Sequence, residues 1–210
     1  PTATDDSGRM LAATPAEQGT KPTEEITDDD FIPGADQFGG VWESDQAEPF
    51  WTALPGLVAA PGITALAGQV LTLSGNPLPG TTVELDGVVT QTDDTGRFLL
   101  TGISAGRGVL HVDGNTAGTP GKQYGTYDIG VKIVDGTTTA LGYTIWLTKL
   151  SNARKVKLKQ QPTTEDIVVT TPHIPGLELH IPAGSTIEDA NGNPVEEIAI
   201  TPIPIDRSPF

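Results

Sequence analysis

Short β-branched runs, separated by residues that tolerate positive φ, leave this chain little room for anything but strands and turns. Ser74-Gly75-Asn76-Pro77, Asp86-Gly87, Asp93-Asp94-Thr95-Gly96, Asp113-Gly114, Asp135-Gly136 and Asn191-Gly192 each stand between apolar runs. No segment sustains the i, i+3, i+4, i+7 spacing of an amphipathic helix, whereas apolar and polar residues alternate in Val83-Glu84-Leu85 and along Asp128 to Ile133. Strands are expected over Thr64–Leu73, Thr81–Leu85, Val88–Thr92, Arg97–Thr101, Gly108–Val112, Thr126–Val134, Thr138–Leu147, Lys155–Lys159, Ile167–Thr170, Leu177–Ile181 and Ile198–Ile203. The fold class is all-β, with the spacing of a sandwich or barrel.

The first sixty residues follow a different grammar. They carry 12 acidic and 2 basic residues, against 15 and 10 in the remainder, for a total net charge of −15. With Pro and Gly scattered through them, they cannot bury a core of their own. Where such a stretch is ordered, something else must hold it, because fixing each backbone residue costs about 1–2 kcal/mol. An arm over residues 1–60 is therefore expected to wrap along its own sandwich or a neighbouring chain, with Phe31, Phe38, Trp42, Phe50 and Trp51 as anchors. Two further parts follow, a sandwich over 61–150 and a β-rich module over 151–210 that is expected to be incomplete. The acidity argues against nucleic acid and anionic lipid as partners. No apolar run is long enough for a membrane span, so no membrane insertion is expected. The absence of cysteine removes disulfides, thiolate nucleophiles and sulfur-based zinc sites.

Several motifs imitate chemistry. Gly102-Ile103-Ser104-Ala105-Gly106 spells the hydrolase pattern G-x-S-x-G, but a nucleophile elbow needs a helix directly behind the serine, and Arg107 to Val112 reads as a strand. His111, His173 and His180 have no metal-ligand spacing. Asp189-Ala190-Asn191-Gly192-Asn193 imitates the start of a calcium loop, yet its glycine comes too early and Pro194 follows, so a hairpin turn is the default. Asp28-Asp29-Asp30, with Asp36 nearby, offers clustered oxygens that suit calcium if ordered, and is otherwise a solvated charge run. No other cofactor is implied. Arg154, Lys155, Lys157 and Lys159 alternate with Val156 and Leu158 as on an edge strand whose lysines deter unwanted pairing. Such a basic edge is also suited to docking the acidic arm, in the same chain or a neighbouring one.

Gly68-Gln69-Val70, Gly75 to Gly80, Val83-Glu84-Leu85, Thr92 to Phe98 and Val109 to Gly114 together resemble the carboxypeptidase-regulatory-like family. That resemblance implies a seven-stranded-type, transthyretin-like sandwich with Phe98 in its core. Tyr143 to Leu150, Pro175 to Gly192 and Ile200 to Phe210 resemble the region upstream of the repeats in large bacterial RHS/YD-repeat proteins. The basic run from Arg154 to Lys159 departs from that pattern, and the repeats are missing. The resemblance implies a non-catalytic structural module of a secreted or cell-surface bacterial protein, its partner the rest of its own polypeptide. Two alternatives remain open. One is a self-assembling filament subunit whose arm adds a strand to the next copy, making it a homo-oligomer. The other is a glycan- or protein-binding adhesin that uses Trp42, Trp51 and Trp146.

Overall fold

The computed structural model describes residues 31–33, 42–44, 46–117, 121–151, 154–189 and 191–209. They are almost entirely strand and turn, as the sequence predicts. Two four-stranded sheets face each other. The first joins β1 (Ala65–Thr72) to β4 (Arg97–Thr101) on one edge and to β7 (Thr138–Ala140) and β8 (Ile145–Leu147) on the other. The second runs in the order β3 (Val88–Gln91), β2 (Thr82–Leu85), β5 (Gly106–Asp113), β6 (Thr126–Ile133). Their inner faces share one cluster that includes Leu66, Val70, Val83, Leu85, Phe98, Leu110, Val112, Ile129 and Leu147. Two small ladders follow in the C-terminal part: β10 (Ile167–Thr170) with β11 (Glu178–Ile181), and β9 (Val156–Lys157) with β12 (Glu197–Ile198).

Turn chemistry sets the hairpins. Between β2 and β3 the chain reverses in two residues, Asp86 at φ 52° and Gly87 at φ 80°, with Leu85 opposite Val88. Positive φ at both central positions is the turn whose twist matches the flanking strands. Gly96, at φ 73°, tucks the next turn under β1, where its carbonyl accepts from Val70 N at 2.7 Å. A Cβ on Gly96 would collide with the Val70 carbonyl oxygen, so only glycine fits.

Two expected strands are interrupted, and a third, expected over Lys155–Lys159, shrinks to Val156–Lys157. The single run over 138–147 is split into β7 and β8, both parallel to β1. Ala67 stands opposite Ala140 and Val70 opposite Ile145, so four residues, 141–144, face two. The surplus bulges out of the ladder. The strand expected over 198–203 pairs only at Glu197 and Ile198, because Pro202 and Pro204 have no N–H to donate.

β1 is covered on both sides. Leu66 and Val70 point into the core, so alternation turns Ala65, Ala67, Gln69 and Leu71 the other way. Even so, Ala65, Ala67, Leu71 and the following Leu73 are nearly sealed from solvent. Their cover includes residues 46–60, which run back over β1 from its C-terminal end to its N-terminal end. Pro49 packs on Gly75, Gln69 Nε2 donates to Trp51 O at 3.0 Å, Arg97 Nη1 donates to Pro55 O at 2.8 Å, and Ala59 N donates to Thr138 Oγ1 at 2.9 Å.

Truncating Leu71 should therefore cost as much as truncating a core residue. We expect Leu71→Ala to lower the urea-denaturation free energy by about 2–5 kcal/mol. Val109→Ala, on the open face of the second sheet, should stay within about 0.5 kcal/mol. Equal small effects would mean that residues 46–60 do not cover β1 in solution.

Candidate functional site

The most heavily bonded side chain lies where three stretches distant in sequence meet. Arg207 closes the short 310 turn Ile205–Arg207, which Pro204 precedes, and is 4% exposed. Its Nη1 donates to Leu73 O, at the end of β1, and to Gln46 Oε1 at 2.9 Å. Its Nη2 donates to Ala47 O at 3.1 Å and, more weakly, to Gln46 O at 3.4 Å. The guanidinium carbon lies 4.6 Å from the ring centroid of Trp146 on β8, a cation–π contact. Beside it, Asp206 accepts from Ser44 N at 2.7 Å and Ser44 Oγ at 2.5 Å, and Ile205 N donates to Trp42 O at 2.6 Å. Burial pushes the guanidinium pKa down and neighbouring Asp206 pushes it back up. Arginine starts so high that it remains a cation at neutral pH. A planar fork with five donors can hold several carbonyls at once, which a lysine cannot do in a fixed geometry.

The residues singled out from sequence are dispersed. Phe31 and Trp42 make a tilted ring contact at 6.3 Å, and Phe50 and Trp51 an edge contact at 5.6 Å. Phe38 lies outside the described residues, as do Asp28, Asp29, Asp30 and Asp36. Lys155 and Lys157 reach Glu197, at 3.4 and 3.6 Å, across the β9–β12 ladder. Arg154 Nη1 donates to Thr170 Oγ1 at 3.2 Å, and Lys159 is exposed. Lys155 and Lys157 thus share one acidic partner within the C-terminal part.

Ser104 sits in an exposed turn between β4 and β5, and the strand resumes at Gly106. His111 Nδ1 pairs with Asp128 at 2.7 Å across β5 and β6, and His180 Nε2 with Glu178 at 2.8 Å, both in the open. His173 Nδ1 is buried with no hydrogen-bond partner among the described residues. Among the described residues no three His, Asp or Glu side chains converge on a metal position, and no helix is long and apolar enough to cross a membrane. The Asp189 carboxylate is taken up by its own turn, accepting from Asn191 N at 2.9 Å, Asn193 N at 2.8 Å and Asn193 Nδ2 at 3.1 Å. The Asn193 amide and backbone N–H, with that of Asn191, hold this carboxyl below the usual aspartate range.

Sequence reasoning did not single out Arg207 as a site. The available signal was a lone cation in an apolar, proline-rich stretch, Ile203-Pro204-Ile205-Asp206-Arg207-Ser208-Pro209. A charge flanked in this way needs partners from elsewhere in the chain.

Arg207→Met should destabilise the protein by about 2 kcal/mol or more, since hydrogen bonds to charged groups contribute about 1.5–3 kcal/mol and the orphaned carbonyls add to the cost. Chymotrypsin should then cut faster after Phe50 and Trp51, as mapped by mass spectrometry. The Asp189 turn has the opposite sign to a histidine switch. A depressed carboxyl stabilises the fold above its unfolded pKa and ceases to do so as pH falls through the lower folded value, a window below about pH 4. Carboxyl 13C titration should place Asp189 below its position in Asn193→Ala; equal midpoints would remove the Asn193 amide as the cause. No protein-family model and no curated protein matches this sequence, so the geometry of the Arg207 joint is what bears on function.

Proposed function

We propose that this chain is a non-catalytic structural module of a large secreted or surface bacterial protein, a carboxypeptidase-regulatory-like sandwich with a β-rich extension, of the kind that precedes RHS/YD repeats. Its partner is the remainder of such a polypeptide. The observation that carries the reading is the use made of Arg207. The chain places a desolvated cation where it ties residues 46–47 to a position 161 and 160 residues away, and both to the end of β1. Closing so long a span is entropically costly, and a clasp that does it secures an extended strap and an extended tail together.

Other polar groups serve the same end. Asp93 accepts from Thr95 N at 2.8 Å and Arg97 N at 3.0 Å, bracing the turn before β4. Asp113 braces the turn after β5 through Asn115 N at 3.0 Å, and Asp189 does so before β12. Carboxylates committed to their own loops are poor general bases, because the lone pairs that would take a proton are already accepting hydrogen bonds. The motif likeness in residues 68–114 supports the sandwich reading, and the likeness of Tyr143 to Leu150, Pro175 to Gly192 and Ile200 to Phe210 to the region upstream of RHS/YD repeats supports the exported setting.

A panel of ester, peptide and glycoside substrates should show no turnover that Ser104→Ala removes; a rate abolished by that change would make the chain a hydrolase. On intact cells producing the natural polypeptide, a membrane-impermeant amine label should reach Lys157 and Lys159. Labelling seen only after lysis would end the surface assignment.

A further inference from the structure

The bulge between β7 and β8 opens a cleft of ≈ 500 Å³ between residues 48–56 and the outer face of β1. That size lies within the range of about 300–1,000 Å³ usual for small-molecule sites. Its walls come from the strap on one side and from the four residues of the bulge on the other.

The lining combines fixed polar groups with an available aromatic face. Both amide hydrogens of Gln69 are committed, to Trp51 O and Thr95 O at 3.0 Å each. This orients the amide and leaves Gln69 Oε1 as an acceptor with no partner among the described residues. Glu48 engages one oxygen with Thr52 Oγ1 at 3.2 Å, which leaves the other to accept. Arg97 is braced by Pro55 O and by Thr95 Oγ1 at 2.7 Å, with Asp93 a loose 3.7 Å away, so its fork has donors to spare. Tyr143, thrown outward by the bulge, is 44% exposed and makes no hydrogen bond among the described residues. Trp146 closes one end, held rigid by the guanidinium of Arg207.

We propose that this cleft is a saccharide-binding site, in which a neutral pyranose lies with its C–H face on Tyr143 and its hydroxyls on Gln69, Glu48 and Arg97. A sugar hydroxyl both donates and accepts, so it can satisfy the unpaired acceptors and the arginine donors at the same rim. Tyrosine offers an apolar ring with a polar tip, suited to a ligand that is apolar on one face and polar at its edge. A purely apolar ligand would leave Gln69 Oε1 and Glu48 desolvated without partners. An anionic ligand would meet Glu48 and a chain of net charge −15. The site stands independently of the structural role, since it needs only the strap and the bulge.

The test is an array of neutral hexose and N-acetylhexosamine oligomers probed with the whole chain, followed by calorimetric titration of the strongest ligand. Tyr143→Ala should weaken binding at least tenfold. Gly142→Leu should do the same by filling the cleft: a Cβ there meets nothing within 4 Å and the backbone φ is ordinary. Both variants should keep the wild-type unfolding transition. A blank glycan array, or binding within twofold of wild type in both variants, overturns the proposal. Binding confined to a parallel peptide array overturns it too, assigning the cleft to a peptide.

Discussion

A guanidinium removed from water must have its donors satisfied, and the oxygens that satisfy Arg207 lie on residues that local structure does not bring together. Leu73 ends β1, Gln46 and Ala47 belong to the strap, and Trp146 stands on β8. Meeting that requirement draws the strap and the C-terminal tail onto the same corner of the sandwich. Ser44 on Asp206 and Ile205 on Trp42 add neutral and charged bonds at the same joint. The arrangement is specific because a planar fork accepts few geometries, and costly to break because each orphaned carbonyl would remain partly buried.

From that joint the strap runs back along β1, and this contributes to the double-sided burial of the strand. A strand in a two-sheet sandwich ordinarily alternates between core and solvent. Here the outward positions are alanines and leucines, with Gln69 as the polar exception, and Gln69 is the residue that bonds the strap. Parallel pairing of β1 with β7 and then β8 then leaves two surplus residues that cannot join the ladder, and the space they open beside the strap is the cleft. Fold, joint and cleft are thus successive consequences of covering one strand twice.

Much of the sandwich was legible residue by residue. β4 and β10 fall on the ranges that alternation and turn residues predict, and Asp86-Gly87 makes the two-residue reversal expected of that dipeptide. The reason is physical locality: a positive-φ requirement or a period of two is satisfied within a few residues, whatever the rest of the chain does. Legibility failed at 138–147, where most residues suit a strand and Gly142 is the one local sign of the bulge, while the register against β1 sets where the break falls. It failed at 198–203 for a different reason, since β-prone residues surround two prolines that cannot donate. Of the strand expected over Lys155–Lys159 only Val156–Lys157 forms, and Glu197, the acceptor of Lys155 and Lys157, was invisible until β9 met β12.

Local patterning by itself determined that this chain forms short paired strands and that Ser104 stands in a turn with strand on both sides. Tertiary structure alone decided where residues 46–60 lie, which carbonyls Arg207 holds, and that Gln69 and Tyr143 share a cleft. The division follows from what each property depends on. Backbone preference and amphipathic alternation are set by near neighbours along the chain, whereas the partner of a buried charge is set by whichever distant oxygens the completed packing brings within reach.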